Sequence, residues 1–297
     1  MTIFKTLFSR LFGSAHPQTR TGSQPSRGES AGSRAYDSAP KDRIIVGASQ
    51  STGLERSHNE DAQLVIKGDS SGAGPLPEFG LFMVADGMGG HRAGEVASNV
   101  SIRSVARKLM EEAILHLFDL DNFTEMLPLQ ELLHAALEEA NSAVVQQVPG
   151  GGTTMTAALL LGSQLTIGHV GDSRAYSIKD GQIEILTRDH SLVERLKELG
   201  QLTAEEAETH PQRNVLYRAI GQGPNLEIDV FTTAAPKGGH LLLCSDGLWG
   251  VVPDPQIKHI VNDAPHPQIA CEELVQAANL AGGPDNISVV IVRFPSD

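Results

Sequence analysis

Apolar residues along this chain follow two rhythms. Runs such as Leu81-Phe82-Met83-Val84-Ala85 and Leu241-Leu242-Leu243-Cys244 have no polar break, the mark of strands buried on both faces. Strands are predicted at Ile44–Ala48, Gly80–Ala85, Thr153–Leu161, Leu165–Val170, Arg174–Ile178, Ile183–Thr187, Leu241–Ser245 and Ile287–Phe294. Lys179-Asp180-Gly181-Gln182 joins two of them through an Asp-Gly pair, the residues a tight hairpin needs. A longer period predicts helices over Ala93–Leu115, about Thr124–Gln147, about Leu192–Leu199 and about Pro267–Leu280. Several strands follow one another with no helix between them, which favours antiparallel sheets over a parallel doubly wound one. The expectation is an α+β fold whose sheets carry helices on their outer faces.

The N-terminus breaks this pattern. Residues 1–12 place Ile3, Phe4, Leu7, Phe8, Leu11 and Phe12 on one helical face, with Lys5, Thr6, Ser9 and Arg10 on the other, which predicts an amphipathic helix. Residues 13–42 are rich in Ser, Gly, Pro, Ala and Arg; too few apolar groups remain to offset chain entropy, and a flexible linker is expected. The folded domain is expected over 43–297. A helix as short as 1–12 is marginal alone. It can dock on an anionic membrane surface or on a partner, pack on the protein's own body, or stay unfolded.

Composition narrows the function. Hydrophobic residues make up 40% of the 297, enough for a sizeable core. The net charge is −13, which argues against nucleic acid as the main partner, since neutralising phosphates needs a basic face. The two cysteines, Cys244 and Cys271, sit in apolar or helical runs and read as small buried hydrophobes. No apolar stretch approaches the length that spans a bilayer. Lys5 and Arg10 interrupt the first apolar residues, unlike a signal peptide. A cytoplasmic protein is expected, with peripheral attachment at the inner face of the membrane open to residues 1–12.

Four acidic motifs carry the candidate chemistry: Asn59-Glu60-Asp61, Asp86-Gly87-Met88-Gly89-Gly90, Ser245-Asp246-Gly247 and Pro284-Asp285-Asn286. An isolated Asp-Gly is most often only a turn. Here each carboxylate follows or precedes a hydrophobic run, so strand ends can gather them. Oxygen ligands from distant segments suit hard divalent cations.

With the segments Arg56-Ser57-His58-Asn59-Glu60-Asp61, Val84-Ala85-Asp86-Gly87-Met88-Gly89-Gly90-His91, Gly152-Thr153-Thr154, Gly168-His169-Val170-Gly171-Asp172-Ser173-Arg174, Asp189-His190-Ser191, Leu243-Cys244-Ser245-Asp246-Gly247-Leu248-Trp249 and Gly283-Pro284-Asp285-Asn286 in this order, the chain resembles the metal-dependent type 2C serine/threonine protein phosphatases in their bacterial form. The resemblance covers roughly 44–294. It implies a four-layer α-β-β-α sandwich of two mainly antiparallel sheets flanked by helices, with metals in a cleft at one end. It implies that Asp86 bridges two catalytic ions, that Asp246 and Asp285 complete the first site, and that Glu60 and the Gly87 carbonyl belong to the second. Asp61 would orient a water, Asp172 with Asp246 would hold a weaker third ion, and Arg56 would grip the substrate phosphate.

The implied chemistry is hydrolysis of a phosphomonoester by a water activated between two magnesium or manganese ions, with Arg56 matching the phosphate's geometry. Substrates would be proteins carrying phosphoserine or phosphothreonine, with an opposing kinase in the same pathway, and the enzyme is expected to be a monomer. For the proton donor to the leaving group, eukaryotic members place a His after Asp-Gly. Met88 stands there, and His91 is the nearest candidate acid. His58, His169 and His190 read as structural. Residues 190–221 resemble the family's mobile flap, where Arg213 and Arg218 are equally suited to substrate contact and to structural ion pairs. Gly250 departs from the acidic residue often found after this Trp, which weakens the third-ion assignment. Two other readings stay open: a non-catalytic module that binds phosphoproteins, which should have lost a metal carboxylate, and a phosphatase of small phosphorylated metabolites.

Overall fold

The computed structural model describes residues 43–71, 75–89, 92–118 and 127–296. The chain divides into two units, Met1–Asp37 and Ser38–Asp297, and every described residue belongs to the second. The helix expected at 1–12, the linker at 13–42, His91 and the start of the helix expected near Thr124 lie outside the described residues.

The strands are β1 (Ile45–Ser51), β2 (Ala62–Gly68), β3 (Phe79–Ala85), β4 (Gly87–Met88), β5 (Gly152–Thr153), β6 (Met155–Leu161), β7 (Gln164–Val170), β8 (Arg174–Lys179), β9 (Gln182–Ile185), β10 (Asp229–Ala234), β11 (His240–Cys244) and β12 (Ile287–Arg293). The helices are α1 (Arg92–Leu109), α2 (Leu129–Gln147), α3 (Leu192–Glu198), α4 (Ala204–Glu208), α5 (Asp246–Trp249), α6 (Asp254–Asp263) and α7 (Pro267–Leu280). One sheet runs β1-β12-β11-β8-β9 and the other β10-β7-β6-β3-β2. Every pairing within them is antiparallel.

Alternation along the strands explains the layers. In β3, Phe82 and Val84 face the other sheet, where they meet Leu241 and Leu243 of β11 and Val290 and Val292 of β12. Their neighbours Leu81, Met83 and Ala85 face outward onto Val105 and Leu109 of α1 and Leu133 and Leu137 of α2. The outer face of the first sheet packs Leu242, Cys244, Val289 and Ile291 against Ile257 and Val261 of α6 and Leu274 of α7. A strand between two apolar layers has no polar side, which is why β3 and β11 read as unbroken apolar runs. The result is the α-β-β-α sandwich.

The hairpin forms as expected. Lys179 pairs with Gln182, and Asp180 and Gly181 both take positive φ, 52° and 72°, which the twist of a two-residue turn requires. Several elements differ from the sequence reading. The helix expected to reach Leu115 keeps α-geometry only to Leu109, then widens over Met110–Ile114, which keeps Ala113 and Ile114 buried, and tightens over Leu115–Phe118. The strand expected from Thr153 is split at Thr154, so that Gly152–Thr153 pairs with Gly87–Met88 instead of joining the main sheet. Strands β2 and β10, and the short amphipathic helix α6, were not among the predicted elements. Among the described residues no helix is long and apolar enough to cross a membrane.

Candidate active site

Antiparallel pairing brings the acidic motifs to one end of the sandwich. Ala62 at the start of β2 lies opposite Ala85 at the end of β3, so Glu60 and Asp61 enter where Asp86 leaves. Cys244 at the end of β11 lies opposite Val289 and Arg174, which draws Asp246, Asp285 and Asp172 to the same rim. Glu60, Asp86, Gly87, Asp172, Asp246 and Asp285 all line one cavity of about 610 Å3, together with Arg56, Ser57, His58, Met88, Thr154, Asn214, Leu216 and Asn286.

Hydrogen bonds fix this rim. The Asp86 N–H donates to Thr154 Oγ1 at 2.9 Å, and the Asp86 carbonyl accepts from the Thr154 N–H at 2.8 Å and from Thr153 Oγ1 at 2.9 Å. The break in the strand at Thr154 therefore holds the Asp86 backbone. Asn286 staples the loop before β2: its Oδ1 accepts from the Glu60 N–H at 2.8 Å, and its Nδ2 donates to the carbonyls of Thr52 and His58 at 2.9 and 3.0 Å. Asp61 Oδ2 accepts from Ser245 and Ser288 hydroxyls at 2.8 and 2.6 Å. Arg56 donates to Asp285 Oδ2 at 2.6 Å.

Glycine matters at Gly94 in the first turn of α1. A Cβ there would stand 2.3 Å from Glu60 Oε2 and 2.8 Å from the Gly87 carbonyl carbon. Glu60 Oε2 and Gly87 thus meet over Gly94 at a spacing no larger residue permits. If Glu60 holds a cation, as the resemblance implies, Gly94→Ala is expected to displace it and lower manganese affinity by about tenfold, read by calorimetric titration of manganese while circular dichroism monitors the fold.

Crowding and burial show in the proton affinities. Burial, then the charges of Asp61, Asp246, Asp172 and Asp285, raise the Asp86 carboxyl well above the usual range. Burial and then Asp246 do the same to Asp172. Asp246 is raised to about 6 by burial and then by Asp285, against the counter-effect of a hydrogen bond with Asp86. Asp61 reaches about 7 through burial, although Ser288 and Ser245 oppose the rise. Asp61 Oδ1 and Asp246 Oδ1 are buried with no hydrogen-bond partner. Orphaned, mutually repelling carboxylate oxygens are what divalent cations satisfy, so the donor set fits magnesium or manganese. Among the described residues no three His, Cys, Asp or Glu side chains already close around one point; mutually repelling carboxylates would draw together only around bound cations.

The other sequence candidates sort clearly. His169 is fully buried, bonded to Thr156 Oγ1 and the Arg188 carbonyl, and lowered to about 4 chiefly by burial. His190 is buried beside it and bonds the Gly171 N–H and Asp229. Both are structural. Arg218 pairs with Glu227 and Asp229, a structural role. From the flap-like segment, Asn214 and Leu216 reach the cavity. Burial pushes the Cys244 thiol up, so it offers no thiolate nucleophile. His58, read as structural from the sequence, lines the cavity instead and touches Glu60. The supporting roles of Asn286, Ser288, Thr154 and Gly94 escaped the sequence reading. A glycine in a helix's first turn was the one visible sign among them.

Two antiparallel sheets, covered by helices and opening at one end on an acidic cavity with an arginine at its mouth, define a metal-dependent phosphoester hydrolase. A family model described as protein phosphatase 2C matches residues 57–279, and the chain belongs to that family. It is a protein phosphatase, and so a hydrolase. The serine/threonine phosphatase Stp of Listeria welshimeri is 34% identical over 250 residues, covering 81% of this chain and 92% of the relative. The crystal structure of Mycobacterium tuberculosis serine/threonine phosphatase PstP aligns with a TM-score of 0.70 at 35% identity, over 84% of this chain and 98% of that one. A structure of the PstP catalytic domain in complex with two manganese ions aligns with a TM-score of 0.68 at 34% identity, over 84% and 97%.

Proposed function

We propose that the cavity removes phosphate from phosphoserine and phosphothreonine in proteins with the help of two magnesium or manganese ions. The observation that carries this reading is the convergence of Glu60, Asp86, Gly87, Asp246 and Asp285 on one cavity with Arg56 at its edge. Asp86 would lie between the ions, Asp246 and Asp285 would hold the first, and Glu60 with the Gly87 carbonyl the second. Asp172 with Asp246 would hold a weaker third. When bound, the ions supply positive charge and an activated water for attack on phosphorus.

The chain's own groups do the rest. Asp61, buried and held through Oδ2, keeps Oδ1 to orient a water beside the cations. Arg56 is half-exposed and already bonds a carboxylate, Asp285 Oδ2; the same planar fork suits the dianionic phosphate that enters. His91 would protonate the leaving oxygen. The catalytic domain would span 43–297, with 1–12 an amphipathic helix candidate on the linker 13–42, open to docking on a membrane or partner, to packing on the protein's own body or to staying unfolded. An opposing protein kinase is implied by the reaction.

Hydrolysis of a phosphothreonine peptide with manganese, with and without chelator, tests the reading. Turnover that survives chelation would overturn it, and faster turnover of small phosphorylated metabolites would move the substrate class. Arg56→Ala is expected to raise KM about tenfold or more with a smaller change in kcat, because it removes a charge-assisted contact to bound phosphate worth about 1.5–3 kcal/mol; steady-state kinetics at saturating manganese separates the two.

A further inference from the structure

Ser57, His58 and Glu60 form a chain of hydrogen bonds at the mouth of the cavity. Ser57 Oγ lies 2.9 Å from His58 Nδ1, and His58 Nε2 lies 2.8 Å from Glu60 Oε1. The contacts reinforce one another. A serine hydroxyl that donates to Nδ1 leaves the neutral ring's proton on Nε2, where it can only donate, and the Glu60 carboxylate accepts it. The backbone around the ring is pinned as well: Asn286 holds both the His58 carbonyl and the Glu60 N–H. With Oε1 engaged, Glu60 turns Oε2 to the space above Gly94 beside the Gly87 carbonyl.

We propose that His58, held in one tautomer by Ser57, is a positioning residue that orients the Glu60 carboxylate so that Oε2 and the Gly87 carbonyl present themselves together to a cation. The inference rests on the reading of Glu60 as a metal ligand. Carboxylates that bind metals are themselves oriented by hydrogen bonds, and losing such a partner typically costs about 10–100-fold in metal affinity. Nothing in the family resemblance assigned this task to the residue between Ser57 and Asn59. It also explains why a partly exposed histidine is tied at both ring nitrogens.

The test is calorimetric titration of manganese alone into the full-length protein and its variants. His58→Ala is expected to weaken manganese binding about tenfold or more, and Ser57→Ala to weaken it less. His58→Gln, whose amide nitrogen takes the place of Nε2, is expected to restore most of the affinity. At saturating manganese, KM for a phosphopeptide should be unchanged in His58→Ala, whereas a residue that grips phosphate would raise it. Glu60→Gln is the reference arm. If it weakens binding while His58→Ala does not, the inference is overturned and the metal reading stands. Equal weakening in His58→Ala and His58→Gln would overturn it too, since a hydrogen bond donated to Glu60 would then not be what the loss of the imidazole removes. If Glu60→Gln binds manganese as the parent does, the ligand assignment itself falls.

Discussion

Asp86→Asn is expected to cut turnover about 1000-fold and, in the same protein, to raise the thermal stability of the metal-free form. Both effects have one cause. Asp86 sits where the charges of Asp61, Asp172, Asp246 and Asp285 all bear on it. A neutral amide relieves that repulsion and can still hydrogen-bond Asp246. Relief of a destabilised active site commonly returns about 0.5–2 kcal/mol, or on the order of 2–4 °C per kcal/mol in a domain of this size. If Asp86 holds cations as proposed, an amide there is a poor ligand, and losing the carboxylate would remove several kcal/mol of transition-state stabilisation, about 1.4 kcal/mol per factor of ten. Full manganese-dependent activity in the variant would refute the assignment of Asp86, and an unchanged melting temperature in chelator would refute the crowding argument.

The second large effect is on pH. In chelator, the folded protein is expected to lose stability as pH rises from about 4 through 7. Asp61 and Asp246 keep their protons to about 7 and 6 in the folded state, whereas an unfolded chain releases them near 3.9. The folded state therefore binds more protons across that window, and stability falls through it as pH rises. Below about pH 4 both states are protonated and the contribution is fully present. Melting curves at pH 5 and 7.5 should differ by on the order of 5 °C, with the lower value at 7.5. Manganese should shrink the gap, because cation binding requires the deprotonated carboxylates. A chelated melting temperature that is flat between these pH values would contradict the arrangement.

How much of this was legible in the chain depends on burial. The central strands β3, β11 and β12 announced themselves because both faces meet apolar layers. The hairpin at Asp180-Gly181 was legible because its backbone demands those residues. Strands β2 and β10 lie at the edges of their sheet with half-buried residues of mixed polarity, and neither left a clear period. The site carboxylates were visible as motifs, and Glu60, Asp86, Asp172, Asp246 and Asp285 all line one cavity. The residues that hold them were not. Asn286, Ser288 and Thr154 act through contacts between segments far apart in sequence, and no local pattern records such a contact. The neighbours of His58 in sequence gave no sign of the geometry that turns its ring onto Glu60.

The acidic rim draws on both sheets: Asp86 leaves β3 of one, and Asp246 and Asp285 flank β11 and β12 of the other. Ions seated there would act as rivets through the seam between the layers. A nascent chain halted before Ser245 would own all of one sheet, four of the five strands of the other and the first carboxylates, yet lack β12, Asp246 and Asp285. The proposed cation site would thus be complete only once synthesis has passed Asp285 and the second sheet has gained its last strand.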